Sequence, residues 1–153
     1  MFLKNFWYVA AWSHELADKP LGRVIVNEPV VLYRAPDGTL VALDDRCPHR
    51  RLPLSMGKVV EGGLLQCHYH GLRFDKTGQC VRIPGQNMIP PSAKVRSYPV
   101  VERYRWIWIW MGDPALADPA TIPDYHYLDS PDWGAKGALF HVKANWQLIV
   151  DNL

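Results

Sequence analysis

Long apolar runs, long runs of one charge and paired cysteines are all missing from this chain of 153 residues. No apolar stretch approaches the ~20 residues that cross a bilayer, and the opening "MFLKNFWYVAAWSHEL" lacks the continuous apolar region of a signal peptide. The net charge of +2, without a long basic run, argues against a nucleic-acid binder. Three cysteines are an odd number and too few for a disulfide scaffold of this size. We therefore expect a reduced, cytoplasmic chain without a membrane segment.

The composition favours one β-rich domain with a real core. Hydrophobic residues make up 48% of the chain and charged residues 21%, which is ordinary for a globular protein. Thirteen prolines and eleven glycines disfavour long helices, because both residue types interrupt regular elements. Seven tryptophans and seven tyrosines add bulk that favours strands.

Runs of β-branched residues between turn signals predict the strands. We expect a turn at Glu28–Pro29, and a hairpin turn at 35–38 in which Pro fixes φ and Gly takes a positive φ. A further hairpin is expected between "LRF" and "CVRI". The predicted strands include 22–27, 30–34, 39–43 and 62–67.

The segment 103–112, "RYRWIWIWMG", alternates in a way that predicts a strand covered on both faces. Trp106, Trp108 and Trp110 share one face, and Ile107 and Ile109 share the other. We interpret the tryptophans as core packing rather than as a cofactor-stacking surface.

From residue 113 the chain changes character and predicts an extended surface connector over 113–137. After it, 138–146 is compatible with a strand. An amphipathic helix capped by Asn145 is then predicted, because apolar residues recur at i, i+3, i+4 and i+7. These residues are Trp146, Ile149, Val150 and Leu153. The stripe has nothing to bury it, so we expect that 138–153 opens a second domain and that the chain is a fragment.

Four potential metal ligands lie in two loops, each of which follows a predicted strand. Cys47 and His49 form C-x-H, and Cys67 and His70 form C-x-x-H after seventeen intervening residues. A structural zinc accepts two thiolates and two imidazoles, but zinc fingers usually pair Cys with Cys and His with His. A Rieske-type [2Fe–2S] cluster places both thiolates on one iron and both histidines on the other. One ligand of each kind per loop therefore favours the cluster over zinc.

The chain resembles the vanillate and dicamba O-demethylase branch of the Rieske non-heme iron oxygenases. The resemblance runs along essentially the whole chain and rests on "CPHR", "CHYHGL", "WYVAA", "KPLGR", "PLS" and "ERYRWIWIWMGDP". Two positions depart from the family pattern: Arg51 stands where Gly is common, and His68 stands where Pro is usual. The resemblance implies a mainly β fold, a Rieske [2Fe–2S] domain of small antiparallel sheets, followed by the truncated start of an α+β catalytic domain.

The resemblance also implies a domain plan. The Rieske domain covers 1–112, the connector 113–137, and the beginning of a mononuclear-iron catalytic domain 138–153. It assigns the cluster to Cys47, His49, Cys67 and His70 and places a mononuclear Fe(II) in the missing domain. No catalytic residue falls in this stretch, and Asp151 and Asn152 are only weak candidates.

The implied function is electron transfer within a Rieske-type oxygenase. A ferredoxin or NAD(P)H-dependent reductase would reduce the cluster, and the electron would pass to a mononuclear iron that activates O₂ on an aromatic substrate. The resemblance further implies a homotrimer, in which a histidine at the position of His70 faces the neighbouring subunit. Two alternatives stay open: a free-standing Rieske ferredoxin-type carrier and a structural zinc module.

Several flanking residues carry further expectations. Without a spare Cys pair for a disulfide between the loops, we expect a potential near the bottom of the Rieske range of roughly −150 to +300 mV. Gly57 and Gly71 are expected to let the backbone turn, and Cys80 to be a small buried hydrophobe. His68 is predicted to be a loop or interface residue, and the scattered His14, His126 and His141 to be ordinary histidines. A basic rim around the ligands is either simply solvated or a docking face for an acidic partner: Arg46, Arg50, Arg51, Arg73 and Lys76.

Overall fold

The computed structural model describes residues 2–17 and 19–153, and among these residues it has ten strands in three antiparallel sheets. The strands are β1 Phe6–Trp12, β2 Leu21–Ile25, β3 Glu28–Arg34, β4 Leu40–Asp44, β5 Lys58–Val60, β6 Leu64–Gln66, β7 Arg73–Phe74, β8 Cys80–Arg82, β9 Val100–Arg103 and β10 Trp106–Met111. Sheet A has the order β1-β10-β9, sheet B the order β2-β3-β4, and sheet C the order β5-β6-β7-β8. The α-helix α1 is Trp146–Val150. The mainly β prediction of small antiparallel sheets is confirmed.

Sheet B lies between two hydrophobic clusters. Alternate residues of β3 point to opposite faces of the strand, so Val31 and Tyr33 pack into a cluster with sheet C. Val30 and Leu32 pack into a second cluster with sheet A. Because both faces of its central strand are buried, sheet B connects the two halves of the core.

The predicted alternation of β10 is confirmed. Ile107 and Ile109 are fully buried in the cluster shared with sheet B. Trp108 is buried on the other side of the strand, in a third cluster with Tyr104 and Ile122. This third cluster is a packed core of aromatic rings, as the sequence predicted.

The segment that follows β10 packs over the tryptophan face of sheet A. Its short 3₁₀ turns at Pro114–Leu116 and Pro119–Thr121 are each capped by the preceding aspartate side chain. The Trp7 indole Nε1 donates to the Asp118 carbonyl at 2.9 Å, and Ile122 is buried against the rings. The segment 113–137 thus has neither strand nor α-helix, and its first part completes a core. Its role as a connector between two domains stays a prediction.

The C-terminal residues differ in part from the prediction. No strand forms over 138–146, so that expectation is wrong. The helix is confirmed at Trp146–Val150, and the Asn145 side chain caps it by accepting from the Gln147 N–H at 3.0 Å. Its apolar stripe is exposed, and Leu153 is fully so. Among the described residues, none of the helices is long and apolar enough to cross a bilayer.

The turn of the β2–β3 hairpin lies two residues earlier in the chain than the sequence suggests. Glu28 and Pro29 belong to β3, and the turn falls on Val26 and Asn27, with φ of 54° and 63°. Asn tolerates this left-handed region and Val does so rarely, which is why the sequence pointed elsewhere. The turn at 35–38 is confirmed, with Gly38 at φ 84°. The predicted strand 62–67 shortens to β6, because a 3₁₀ turn takes up Glu61–Gly63.

Candidate metal centre

Two loops of matching construction carry the four predicted ligands. The first ligand loop, 47–52, follows β4, and the second ligand loop, 67–72, follows β6. In the first, the Cys47 N–H donates to the Leu52 carbonyl at 2.9 Å, and the Cys47 carbonyl accepts from the residue-51 N–H at 2.8 Å. In the second, Cys67 makes the equivalent pair of bonds with residues 72 and 71, at 2.8 and 3.1 Å. Each loop thus holds its cysteine in the same local frame.

The two cysteine thiols lie inside the protein. Cys47 is 2% exposed and Cys67 is 1% exposed, and both belong to the cluster between sheets B and C. Burial is the main cause that raises the pKa of Cys47 to about 11, and hydrogen bonding with the Cys67 thiol adds to it. Backbone N–H groups of His49 and Arg50 donate to the Cys47 sulfur and oppose the rise. A thiol in this environment keeps its proton at neutral pH unless a cation holds the thiolate form.

The two histidines meet at the surface above the thiols. His49 and His70 are exposed, and their ring centroids are 4.6 Å apart with the planes inclined by 59°. Tyr69, an exposed residue that the sequence did not single out, stacks on His70 with 3.8 Å between centroids. The site therefore has a buried sulfur side and an exposed imidazole side.

This donor set divides into two pairs rather than converging on one point. Within 2–17 and 19–153, no group of three or more His, Cys, Asp or Glu side chains is placed to hold a single metal ion. A two-iron cluster of Rieske type requires no such group, because each iron takes two protein ligands. Buried thiols and exposed imidazoles on paired loops fit that cluster.

The loop glycines act in two different ways. Gly71 has φ +73°, as expected for a left-handed turn position. Arg51 occupies the same position of the first ligand loop with φ +61°. Gly57 is extended instead, so the predicted turning role is wrong; a Cβ there would lie 2.1 Å from the Gln66 carbonyl oxygen. Gly57 therefore permits close approach between the backbone that follows the first ligand loop and β6, which precedes the second ligand loop.

Asp45 and Ser55 were missed as partners at the base of the first ligand loop. Asp45 is the buried charged residue among those described. Its carboxylate accepts from the Ser55 N–H and from the Ser55 hydroxyl, both at 2.6 Å. An Asp two residues before a candidate ligand, with a Ser ten residues later, carries too little periodic signal to be recognised from sequence.

The predicted basic rim is smaller than expected. Arg46, Arg50 and Arg51 are exposed beside the first ligand loop. Arg73 turns its Nε toward the Gln66 side chain, at 2.9 Å. Lys76 does not flank the ligands: it pairs with Asp37 and lies beside Gly63, at the end of β6 away from the second ligand loop.

An apolar groove borders the histidines on another side. Its volume is about 480 Å³, and its walls include His49, His70, Ile83, Pro84 and Pro90. The segment 83–93 that forms much of it contains no charged residue. The two histidines thus stand between a basic rim and an uncharged groove.

The remaining candidates lie outside the paired loops. Cys80 is buried, and burial raises the pKa of its thiol, in line with its prediction as a small hydrophobe. His14, His126 and His141 are exposed and scattered, and His126 contacts the Asp124 carboxylate at 3.0 Å. Asp151 caps the C-terminal end of α1, Asn152 follows it, and both stay weak candidates.

Paired loops that present two buried thiols and two exposed imidazoles from small antiparallel sheets define an iron–sulfur domain of the Rieske class. The chain belongs to this family: the family described as "Rieske [2Fe-2S] domain" matches residues 6–99. Membership implies a [2Fe–2S] cluster.

Relatives that match the whole of this chain include an oxygenase component and an iron-sulfur subunit of a monooxygenase system. The chain is 56% identical over 153 residues to the oxygenase component of dicamba O-demethylase from Stenotrophomonas maltophilia, with 99% of this chain and 45% of that protein covered. It is 54% identical over 154 residues to the iron-sulfur subunit of the toluene-4-sulfonate monooxygenase system of Comamonas testosteroni, with 100% and 44% covered. A crystal structure of dicamba monooxygenase with non-heme iron and dicamba superposes with a TM-score of 0.92 at 55% identity, covering 99% of this chain and 46% of that one. The chain spans less than half the length of these proteins.

Proposed function

We propose that this chain is the electron-transfer domain of a Rieske-type oxygenase and that Cys47, His49, Cys67 and His70 hold its [2Fe–2S] cluster. The observation that carries the proposal is the division of the site into a sulfur side inside the core and an imidazole side at the surface. A bound cluster would supply one-electron redox chemistry at this position.

The two sides of the site differ in their access to solvent. The thiols of Cys47 and Cys67 are enclosed by the core between sheets B and C, which excludes water from that side. The rings of His49 and His70 are exposed, so they offer the short route by which an electron reaches or leaves the site. Neutral imidazoles in place of thiolates make the ligand set less negative, and the absence of a Cys pair available for a loop disulfide supports a potential low in the Rieske range.

The wider reaction follows from the resemblance and from the relatives. A ferredoxin or NAD(P)H-dependent reductase would supply electrons, and a mononuclear iron in the remainder of a longer protein would use them to activate O₂. The relatives named for dicamba O-demethylation and toluene-4-sulfonate monooxygenation support an aromatic substrate. In this proposal the subunits form a homotrimer, and His70 faces the receiving iron of the neighbouring subunit.

Replacement of one predicted imidazole ligand tests the cluster assignment. The purified protein is expected to be brown, to contain iron and sulfide in equal amounts, and to give an EPR signal on reduction. His70→Ala is expected to abolish the colour and the signal, because one iron would lose a ligand. Iron analysis, visible absorption and EPR provide the measurement.

His68→Ala is the matched control, since it removes the neighbouring imidazole and should leave the cluster in place. A brown His70→Ala variant would refute the ligand set. A colourless wild-type protein that contains zinc would replace the electron-transfer proposal with the structural zinc module.

A further inference from the structure

The two ligand loops differ in what connects the segment that enters the loop with the segment that leaves it. The second ligand loop connects two paired strands, with Gln66 opposite Arg73 in the ladder between β6 and β7. A side-chain bond from Arg73 Nε to Gln66 Oε1 reinforces that pair. The first ligand loop leaves β4 at Asp44, and its exit passes into a 3₁₀ turn at Leu54–Met56 instead of a strand. The segments that enter and leave the first ligand loop are therefore not paired with each other as strands, unlike those of the second ligand loop.

Asp45 and Ser55 connect the entry and the exit of the first ligand loop by side-chain hydrogen bonds instead. The buried Asp45 carboxylate accepts two bonds from Ser55, one to each oxygen. The Asp45 N–H donates to the Pro29 carbonyl at 3.0 Å, which fixes the entry side to β3. On the exit side, the fully buried Leu54 anchors the turn in the cluster that contains both cysteines. Entry and exit of the first ligand loop are thus joined through one carboxylate.

A glycine on β2 makes room for this contact. A Cβ at Gly22 would lie 2.7 Å from Ser55 Oγ and 3.1 Å from Asp45 Oδ2. Since both atoms belong to short side chains, an added methyl group would displace the hydroxyl from the carboxylate. Gly22 thus provides an independent way to disturb the same pair.

We propose that Asp45 and Ser55 are positioning residues that hold Cys47 and His49 in register with Cys67 and His70. This inference rests on the proposed function, because it concerns the loop that carries half of the cluster ligands. A bond to a buried carboxylate is stronger than one between neutral groups. Weakening the pair should let the first ligand loop move relative to the second while the sheets stay folded.

Ser55→Ala tests the inference on the iron-loaded protein. It is expected to speed cluster loss to a chelator about tenfold, the size expected for one bond to a buried charge. It should also broaden or shift the EPR signal of the reduced cluster, because the geometry at His49 changes. Bleaching of the visible absorption and EPR are the readouts, with circular dichroism to confirm the fold.

The β7–β8 hairpin offers a matched control. There the Asp75 carboxylate accepts from the Thr77 N–H at 2.9 Å and from its hydroxyl at 2.6 Å. Thr77→Val removes one hydroxyl donor and keeps the N–H donor, as Ser55→Ala does, but away from the ligand loops. It is expected to leave cluster loss and EPR unchanged.

Three further variants keep the test decisive. Gly22→Ala should reproduce the effect of Ser55→Ala. Asp45→Asn keeps an acceptor for the Ser55 N–H and can donate to the Ser55 hydroxyl. It should therefore retain the cluster longer than Asp45→Ala. If Ser55→Ala and Gly22→Ala both behave like Thr77→Val, the positioning role is overturned while the cluster assignment stands. If the wild-type protein itself carries no cluster, the proposed function fails instead.

Discussion

Arg51 and Gly71 occupy the same place in the two ligand loops, and both have a left-handed backbone. Glycine adopts this conformation without a steric penalty, whereas a residue with a Cβ is strained there. The N–H of each residue nevertheless donates to the carbonyl of its loop cysteine. The first ligand loop therefore contains backbone strain at Arg51, whereas the second ligand loop has a glycine at the same place and is not strained there.

Arg51→Gly should stabilise the protein by about 0.5–1 kcal/mol, since relief of strain exceeds the added freedom of the unfolded chain. Urea unfolding monitored by tryptophan fluorescence measures the change. Arg50→Gly is the control: its φ is not positive, so it should destabilise by about 0.5–1 kcal/mol. Equal shifts for both variants would contradict the strain at Arg51.

The sequence reveals residues of this site to the extent that their signal is local. Cys47, His49, Cys67 and His70 could be predicted because the spacing within each loop carries the chemistry, although their role as cluster ligands stays a prediction. The pairing of Asp45 with Ser55 could not, because a carboxylate and a hydroxyl are common in any loop. Only the fold shows that this carboxylate is buried and doubly bonded.

At the scale of elements, the tryptophan face of β10 explains why the segment after it stays ordered without a helix or strand. Trp106 and Trp108 form edge-to-face contacts with each other at 5.8 Å, and Tyr125 contacts Trp106 at 5.3 Å. Tyr104 donates to the Asp124 carboxylate at 2.8 Å, which ties the same segment to the β9–β10 turn. Side-chain packing thus fixes a backbone that lacks ladder bonds.

Ile122→Ala should lower the free energy of unfolding by about 2–4 kcal/mol, because it leaves a cavity among aromatic rings. Ala120→Gly, two residues away and exposed, is the control and should cost about 1 kcal/mol or less. Thermal unfolding and tryptophan emission would show the difference. A loss no larger than the control's would mean that residues 113–128 lie loosely on the surface.

Sequence patterns predict an element correctly where buried and exposed faces alternate along the chain. They fail where contacts with distant residues determine whether a strand or a turn forms. The alternation of β10 predicted both covered faces correctly. The strand expected over 138–146 is absent because its residues are exposed and no neighbouring strand pairs with them among the described residues. The turn at Val26–Asn27 was misplaced because Val is a poor left-handed residue, and the register between β2 and β3 overrides that preference.

At the scale of the whole molecule, charge is unevenly placed although the net charge is only +2. Arg46, Arg50 and Arg51 are exposed on one side of the histidines, and the segment 83–93 on another side has no charge. Arg46 is partly neutralised by Asp44 at 3.2 Å. A basic rim of this kind favours encounter with an acidic electron donor.

Reduction by such a donor should slow as ionic strength rises from about 0.02 to 0.5 M, because screening weakens the attraction. Arg50→Gln should slow reduction several-fold at low salt and have little effect at high salt. Lys76→Gln removes the same charge at the far end of sheet C and should change neither rate. Stopped-flow measurement of cluster reduction provides the test, and a rate indifferent to salt would reject the docking face.

The enclosure of both cysteine sulfurs constrains how the protein can mature. Cys47 and Cys67 share a closed hydrophobic cluster with Tyr33 and Phe74, so under the proposed assignment iron and sulfide have no entrance through the core. The face on which His49 and His70 are exposed is the remaining approach to the two sulfurs. In this proposal the same opening serves both for assembly of the cluster and for its loss.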